Sequence, residues 1–239
     1  MADLNGAASM NNLLAIIAAR NEADRIGASI DGLKATFHGA QVWVADDAST
    51  DATAELALAH GARVVSRGRS HGKGGNVTAA AQAALSDPEA VSRDLVLICD
   101  GDLGSSAATL RQLVEAVESD RCDLAIAAFR HRVGGGFGIA LGFARWAIRN
   151  CCGYVAGAPI SGQRAMRTEV LRAVIPFAAG YGMEIGMTVD AVRAGYRVTE
   201  IELELEHRAT GKTLAGFVHR GRQMRDFARV WWSRRAAGG

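Results

Sequence analysis

The constraint that most limits this chain is the alternation in its first half between short apolar runs and longer amphipathic stretches. "LLAIIAA" (13–19), "AQVWVADD" (40–47), "ARVVSR" (62–67), "DLVLIC" (94–99) and "CDLAIAAFR" (122–130) read as strands. Residues 22–35, 49–61, 75–86 and 106–119 between them read as helices. Ile26, Ile30 and Leu33 fall on one face of the first helix. Ser49 or Thr50 caps the second, with Asp51 in its first turn and Gly61 at its end. Strand alternating with helix predicts βαβ units and a mostly parallel sheet, whose ligands bind beyond the carboxyl ends of the strands. Asp46 and Asp47 end the second strand, Gly68 to Gly75 follow the third, and Asp100 and Asp102 end the fourth. All three polar clusters therefore fall on one edge of one sheet.

The second half changes character. "RVGGGFGIALGFARWAIRNCCG" (132–153) is glycine-rich and then helical, and is expected to be a mobile segment over the site. Residues 160–174 read as a short strand or turn and a helix, 180–195 as a helix, and 196–208 as a long strand. No linker or repeat interrupts the chain, so 1–239 is expected to be one α/β domain, with 208–239 as a basic helical tail.

Composition narrows the class. With 49% apolar and 22% charged residues the chain has the balance of a soluble globular protein. A net charge of +2 is too small to imply nucleic acid. Cys99, Cys122, Cys151 and Cys152 lack zinc-like spacing and fit reduced thiols in the cytosol. No signal peptide is visible, and Arg145 and Arg149 break the longest mildly apolar region, so a cytoplasmic protein without a membrane span is expected.

In "DLVLICDGDLG" a buried strand runs into Asp100 and Asp102, with Gly101 between them allowing a sharp turn and close ligand approach. Two carboxylates so placed make a hard-oxygen site for Mg²⁺ or Mn²⁺, which keep waters and take substrate phosphates as further ligands. The alternative is a solvated turn whose acids cap the helix beginning near Ser105; the position at the ligand edge favours metal. "SRGRSHGKGGN" (66–76) puts glycines around Lys73 just before a helix, where backbone N–H groups and the ammonium can meet an anion. It lacks P-loop spacing, and a basic solvent loop is the competing reading. Arg20, Asn21 and Glu22 follow the first strand and complete a pocket with Asp46 and Asp47; such carboxylates can accept from a ribose hydroxyl or a base N–H. Asn21 and Asp51 can equally be helix caps.

Taken in order, "AARNEADRI", "VWVADDASTDAT", "GKGGN", "LICDGDLG", "SGQRAMR", "GYGMEIGMTVDAVRAGYRV" and "EHRATGKTL" resemble the motifs of family 2 glycosyltransferases with the GT-A fold. The later ones are similar to those of polyprenyl-phosphate hexosyltransferases and glucosyl-3-phosphoglycerate synthases. The resemblance covers about residues 13 to 215 and implies a Rossmann-like, mostly parallel sheet flanked by helices. It implies a donor that is a nucleotide-diphosphate sugar, UDP- or GDP-linked. Ala19 to Glu22 and Asp46 or Asp47 would hold the nucleoside, and Lys73 would lie by the diphosphate. Asp100 and Asp102 would be the metal and nucleotide-sugar acids, Asp102 the direct ligand. Glu184 would contact sugar or acceptor, and His207 would be a distal metal ligand; neutral imidazole is competent for Mn²⁺, although a structural histidine is the alternative. Ala18 stands where many relatives carry proline. Leu205 stands where phosphoglycerate-specific relatives carry arginine, which speaks against that acceptor.

Charge development gives the expected mechanism. As the sugar leaves, negative charge collects on the nucleoside diphosphate, and a divalent ion with Lys73 stabilises it. Glu184 is the candidate base for a hydroxyl acceptor, whereas a phosphate acceptor such as polyprenyl phosphate needs none. Arg130, His131, Arg132, Arg145 and Arg149 can bind an anionic acceptor or can be solvated helix charges. In the tail, Leu214, Phe217, Val218, Met224, Phe227 and Trp231 form an apolar stripe among arginines that suits an anionic membrane surface, the catalytic core or the partner subunit of a homodimer. Two other classes remain. A sugar-phosphate nucleotidyltransferase would want a glycine-rich basic signature after the first strand, absent from "AARNEAD", and a non-catalytic nucleotide-sugar binder would not need Asp100, Asp102, Lys73 and Glu184 together.

Overall fold

The computed structural model of the protein describes residues 12–129, 138–203 and 214–235. Its centre is a seven-stranded sheet built from β1 (Leu13–Ala19), β2 (Gln41–Asp46), β3 (Arg63–Ser66), β4 (Leu95–Asp100), β5 (Leu124–Phe129), β6 (Arg164–Arg167) and β7 (Val198–Leu203). The strand order is β3-β2-β1-β4-β6-β5-β7. All neighbours pair in parallel except β6, which runs antiparallel to both β4 and β5. The chain steps outward from β1 to β2 and β3, then returns to place β4 on the other side of β1. That reversal is a topological switch, and it opens a crevice beyond the ends of β1 and β4. The register puts Ala19 opposite Asp46 and Ala18 opposite Asp100, so both acidic turns flank the end of β1.

Alternating side chains bury both faces of the sheet. Leu13, Ala15 and Ile17 face a layer made by α1 (Ile26–Thr36), α2 (Thr53–Ala59), α4 (Arg111–Glu118) and a 3₁₀ turn at Gly104–Leu110. Leu14 and Ile16 face α3 (Gly72–Leu85), α6 (Thr168–Val174) and α7 (Met183–Arg193). Burial on both sides explains why β1 and β4 read as unbroken apolar runs. A third cluster joins α5 (Gly138–Cys152) to α7 and α8 (Leu214–Arg235) through Ala144, Ile148, Ile185, Val189, Phe227 and Val230.

Several boundaries differ from the sequence expectation. The expected long strand at 196–208 is the six-residue β7, and residues 204–213 lie outside the described ones. Helix α3 starts at Gly72, so Lys73 stands in its first turn and not in a preceding loop. Of the segment 132–153 expected to be mobile over the site, residues 132–137 lie outside the described ones, whereas Gly138–Cys152 is helix α5, packed on α7 and α8 and not lining the cleft.

Candidate functional site

A cleft of about 660 Å³ opens at the switch edge, lined by the ends of β1 and β2, the first turn of α3, Asp100, residues 179–181 and one side of α8. At its floor the Lys73 ammonium lies 2.6 Å from Asp100 Oδ1 and 2.9 Å from Glu184 Oε1. Burial alone would lower the lysine pKa; the two carboxylates reverse that and hold it above the ordinary lysine range. Glu184 sits in the first turn of α7, where the helix dipole favours a carboxylate, and only 8% of its side chain is exposed. Gly162, from the "SGQRAMR" stretch, backs the pair: a β-carbon there would lie 2.5 Å from both Lys73 Nζ and Asp100 Oδ2.

The two acids that end β2 have separate tasks. Asp47 lines the cleft and organises the turn into α3. Its Oδ1 accepts from the His71 amide at 2.9 Å and from the Asn76 side-chain amide, and its Oδ2 accepts from Ser70 Oγ at 2.8 Å. Arg20 approaches the same carboxylate at 3.7 Å. Asp46 is buried under its own loop, accepting from Ser66 Oγ at 2.7 Å and from Ser49. It braces β2 to β3 and is not part of the cleft lining. Asn21 adopts a positive φ of 55°, and its Oδ1 accepts the Thr50 amide at 2.8 Å, so it ties the β1 loop to the β2 loop. Asp51 accepts from the Thr53 and Ala23 amides just ahead of α2, which starts at Thr53 with Ala52 at its N-cap position; neither Ser49 nor Thr50 caps the helix, and Asp51 is not in its first turn.

Asp102 stands at the mouth of the β4 turn with 41% of its side chain exposed, 3.9 Å from Arg25. The Gly101 amide donates to the Ala18 carbonyl and Ser29 Oγ donates to the Gly101 carbonyl, which fixes the turn between the two acids. Glu22 pairs with Arg25 at 2.8 Å. Burial pushes the Glu22 carboxyl up despite Arg25, with Asp102, Asp24 and Asp100 adding to the rise. Among the described residues there is no cluster of three or more metal-ligating side chains. Asp100 and Asp102 supply hard oxygens to one turn, a donor set suited to Mg²⁺ or Mn²⁺ completed by phosphate oxygens and water.

Not every expected residue meets this site. His207, Arg130, His131 and Arg132 lie outside the described residues. Arg145 does not line the cleft; its Nη2 donates to the Gly157 carbonyl at 2.7 Å, closing the end of α5 onto the following loop. Conversely, Asn76, Gly162, Tyr181, Arg225, Asp226 and Arg229 belong to the site or its immediate support without having been singled out individually. For Asn76 and Gly162 the signal was present in "GKGGN" and "SGQRAMR"; for the α8 residues no local pattern distinguishes them from other helix charges.

Among its described residues, α8 packs an apolar face on the core. Phe227 and Val230 are buried against α5 and α7, and Arg234 pairs with Asp190 of α7. Three glycines make this possible. A β-carbon on Gly180 would strike the Asp226 carboxylate, one on Gly182 would strike Val230, and one on Gly186 would lie 3.0 Å from Arg234 Nη2. Positions 226, 230 and 234 recur every four residues, so one helical ridge of α8 fits the glycine face of "GYGMEIG".

Comparison with known proteins agrees with this geometry. Residues 14–178 match the family described as glycosyl transferase family 2. The glucosyl-3-phosphoglycerate synthase of Mycolicibacterium paratuberculosis is 33% identical over 217 residues, covering 80% of this chain; the chain spans 63% of that relative's length. The undecaprenyl-phosphate mannosyltransferase of Micrococcus luteus is 29% identical, covering 84% of this chain and 86% of the relative. Among solved structures, the glucosyl-3-phosphoglycerate synthase of Mycobacterium tuberculosis in complex with Mn²⁺, UDP and glucosyl-3-phosphoglycerate superposes with a TM-score of 0.72 at 25% identity, over 94% of this chain and 80% of that one. The same enzyme with Mg²⁺ and UDP gives a TM-score of 0.73 at 26% identity. A family match over most of the chain, on a sheet whose switch edge carries the acidic turn and its lysine, makes this protein a member of glycosyl transferase family 2.

Proposed function

We propose that the protein transfers a hexose from a UDP- or GDP-linked sugar to a phosphate-bearing acceptor, with Mg²⁺ or Mn²⁺ held by Asp102 and Asp100. The observation that carries this reading is Lys73 bridging Asp100 and Glu184 at the floor of the switch-edge cleft. The bond between the sugar's anomeric carbon and the diphosphate oxygen breaks, and a new bond forms to the acceptor oxygen. A bound divalent ion supplies Lewis-acid stabilisation of the departing diphosphate. The chain itself supplies a fixed ammonium, whose distance from that charge is set by Asp100, Glu184 and Gly162. Asp47 holds the Ser70 to Asn76 turn that forms the nucleoside side, and Arg20 adds a cation there.

Glu184 is committed to Lys73 and does not line the cleft, which suits a positioning role better than proton removal. A phosphate acceptor is already anionic and needs no base, so the geometry agrees with that acceptor class. The relatives' names include both 3-phosphoglycerate and undecaprenyl phosphate. A lipid-linked acceptor is supported by an exposed aromatic row of Trp146, Trp231 and Trp232, capped by Arg235, whose guanidinium lies 3.3 Å from the Trp232 ring centre. Tryptophan beside arginine is the composition of an interfacial surface. No helix among the described residues is long and apolar enough to cross a membrane, so such contact would be peripheral.

The test is incubation with Mn²⁺ or Mg²⁺ and a panel of UDP-, GDP- and dTDP-sugars, with undecaprenyl phosphate and 3-phosphoglycerate as acceptors. Wild type is expected to transfer from one donor in a metal-dependent way, and Asp102→Ala to lose it. Equal turnover in the two proteins would overturn the assignment.

A further inference from the structure

We propose that Arg225 and Arg229 of α8 form a phosphate-binding wall of the cleft, held in register by the docking of that helix on Gly180, Gly182 and Gly186. The inference rests on the glycosyltransferase reading for its ligand, but its geometry stands alone. Both arginines line the cleft opposite the β2 and α3 side, and they are 58% and 69% exposed. They lie one turn apart, so their guanidinium groups occupy neighbouring positions along the wall. Asp226 lies between them in sequence, but its distances to them are 3.4 Å and 3.8 Å. Those are longer than the roughly 2.7–2.9 Å of a strong charge-assisted hydrogen bond. Asp226 Oδ1 accepts weakly from Arg225 Nε and Nη2, both at 3.4 Å, while its Oδ2 accepts from the Tyr181 amide at 3.3 Å and sits against Gly180.

The acids that face these arginines across the cleft already have partners. Asp100 is paired with Lys73, and Asp47 accepts from Ser70, His71 and Asn76. The wall therefore presents two guanidinium groups, held to Asp226 only by long contacts, to a cavity whose carboxylates are largely satisfied. A phosphate group is the ligand that matches two adjacent forks. It can be the diphosphate of the donor or the phosphate monoester of the acceptor. The glycine face gives the device its rigidity: α8 cannot slide by a residue without driving Val230 or Asp226 into the 180–182 backbone.

The experiment compares wild type with the double variant Arg225→Gln/Arg229→Gln and with Arg225→Lys/Arg229→Lys. Calorimetric titrations use UDP and uridine with Mn²⁺, GDP and guanosine with Mn²⁺, inorganic pyrophosphate, and inorganic phosphate. Because both side chains are exposed, the melting temperature is expected to stay within a few degrees of wild type. The glutamine pair is expected to weaken at least one phosphate-bearing probe by on the order of tenfold per arginine, with the lysine pair intermediate. Loss for UDP and pyrophosphate with uridine unchanged places the donor diphosphate on the wall. Loss for phosphate alone, with a raised KM for undecaprenyl phosphate or 3-phosphoglycerate at unchanged UDP affinity, places the acceptor there. All phosphate-bearing probes binding to the glutamine pair within twofold of wild type, or none binding to wild type, would overturn the proposal. Arginine-dependent pyrophosphate binding in a wild-type protein that transfers no sugar would keep the wall and remove the enzymatic reading.

Discussion

Gly162→Ala adds one methyl group where the structure has no room for it. The new carbon would lie 2.5 Å from Lys73 Nζ and 2.5 Å from Asp100 Oδ2, about an ångström inside ordinary van der Waals contact. Both obstructing atoms end side chains, so the Asp100 carboxylate and the ammonium should both yield while the backbone stays, and the lysine, the more flexible, should move further. Moving it about 0.9 Å stretches the Lys73–Asp100 pair from 2.6 Å to about 3.5 Å. At an effective dielectric of about 20 that change costs about 1.6 kcal/mol. Asp100 is about one-third exposed, so solvent screening brings the expected loss to about 1 kcal/mol. The displaced ammonium also leaves the position from which it meets the donor diphosphate. Calorimetry with UDP and Mn²⁺ should therefore show a Kd raised about fivefold, and chemical denaturation a stability loss of about 1 kcal/mol with an unchanged m-value. A Gly162→Ala variant that binds UDP as wild type does, at unchanged stability, would refute the claim that this glycine sets the lysine's place.

Other outcomes follow from the same coordinates. Asp102→Asn should abolish the stabilisation that UDP with Mn²⁺ confers in a thermal melt while leaving the ligand-free Tm within a few degrees, since this side chain is exposed. Gly182→Leu should undock α8 by colliding with Val230; loss of the buried Phe227 and Val230 contacts should cost on the order of 3 kcal/mol, read by denaturation and by new protease cleavage within 214–235. Lys73 has its folded pKa raised, so its ion pairs contribute full stability below the unfolded lysine pKa and lose it only as pH rises through the higher folded value. UDP affinity measured from pH 6 to 9 should accordingly show no limb that disappears in Lys73→Met. Asp123, held down to about 2 by hydrogen bonds from Arg197, contributes stability above the unfolded carboxylate range that is lost as pH falls through about 2. The drop in Tm between pH 5 and pH 2.5 should therefore be smaller in Asp123→Asn than in wild type.

How far the sequence disclosed this molecule depended on whether the information was local. Strands β1 and β4 were legible because burial on both faces demands uninterrupted apolar residues, and the acids that follow them mark where burial stops. A short strand or turn was legible within 160–174, but not the reversed direction of β6, a strand of four residues that opens on the charge of Arg164. That arginine is fully buried, with Nε donating to the Ser161 carbonyl and Nη1 to Thr188 Oγ1, and no local rule anticipates such partners. At the end of β2 the sequence showed two acids but not their division. Period-two alternation requires that neighbours point to opposite sides, yet only the sheet's surroundings decide that Asp46 meets Ser66 while Asp47 meets the α3 turn.

Glycine was the residue type read least well, and for a single physical reason. The sequence pattern places Gly72 and Gly74, on either side of Lys73, before a helix beginning at Gly75, since glycine weakens helices. They open α3, and glycine is required because a β-carbon at position 74 would collide with the Ala178 carbonyl and because Gly72, at the helix start, takes a positive φ of 71° against Gly180. The glycines of "GYGMEIG" likewise carry no side chain to advertise their partner, although they determine where Asp226, Val230 and Arg234 can lie. An apolar stripe on α8 is compatible with a membrane, a partner or the core, and the stripe alone cannot choose among them. For the ridge of Asp226, Val230 and Arg234 the core contact was encoded well upstream in the chain, as missing side chains spaced to receive it. Enlarging one of those glycines should therefore weaken, in calorimetric titration, the same phosphate-bearing probe that the Arg225→Gln/Arg229→Gln variant weakens, even though the altered residue touches neither guanidinium.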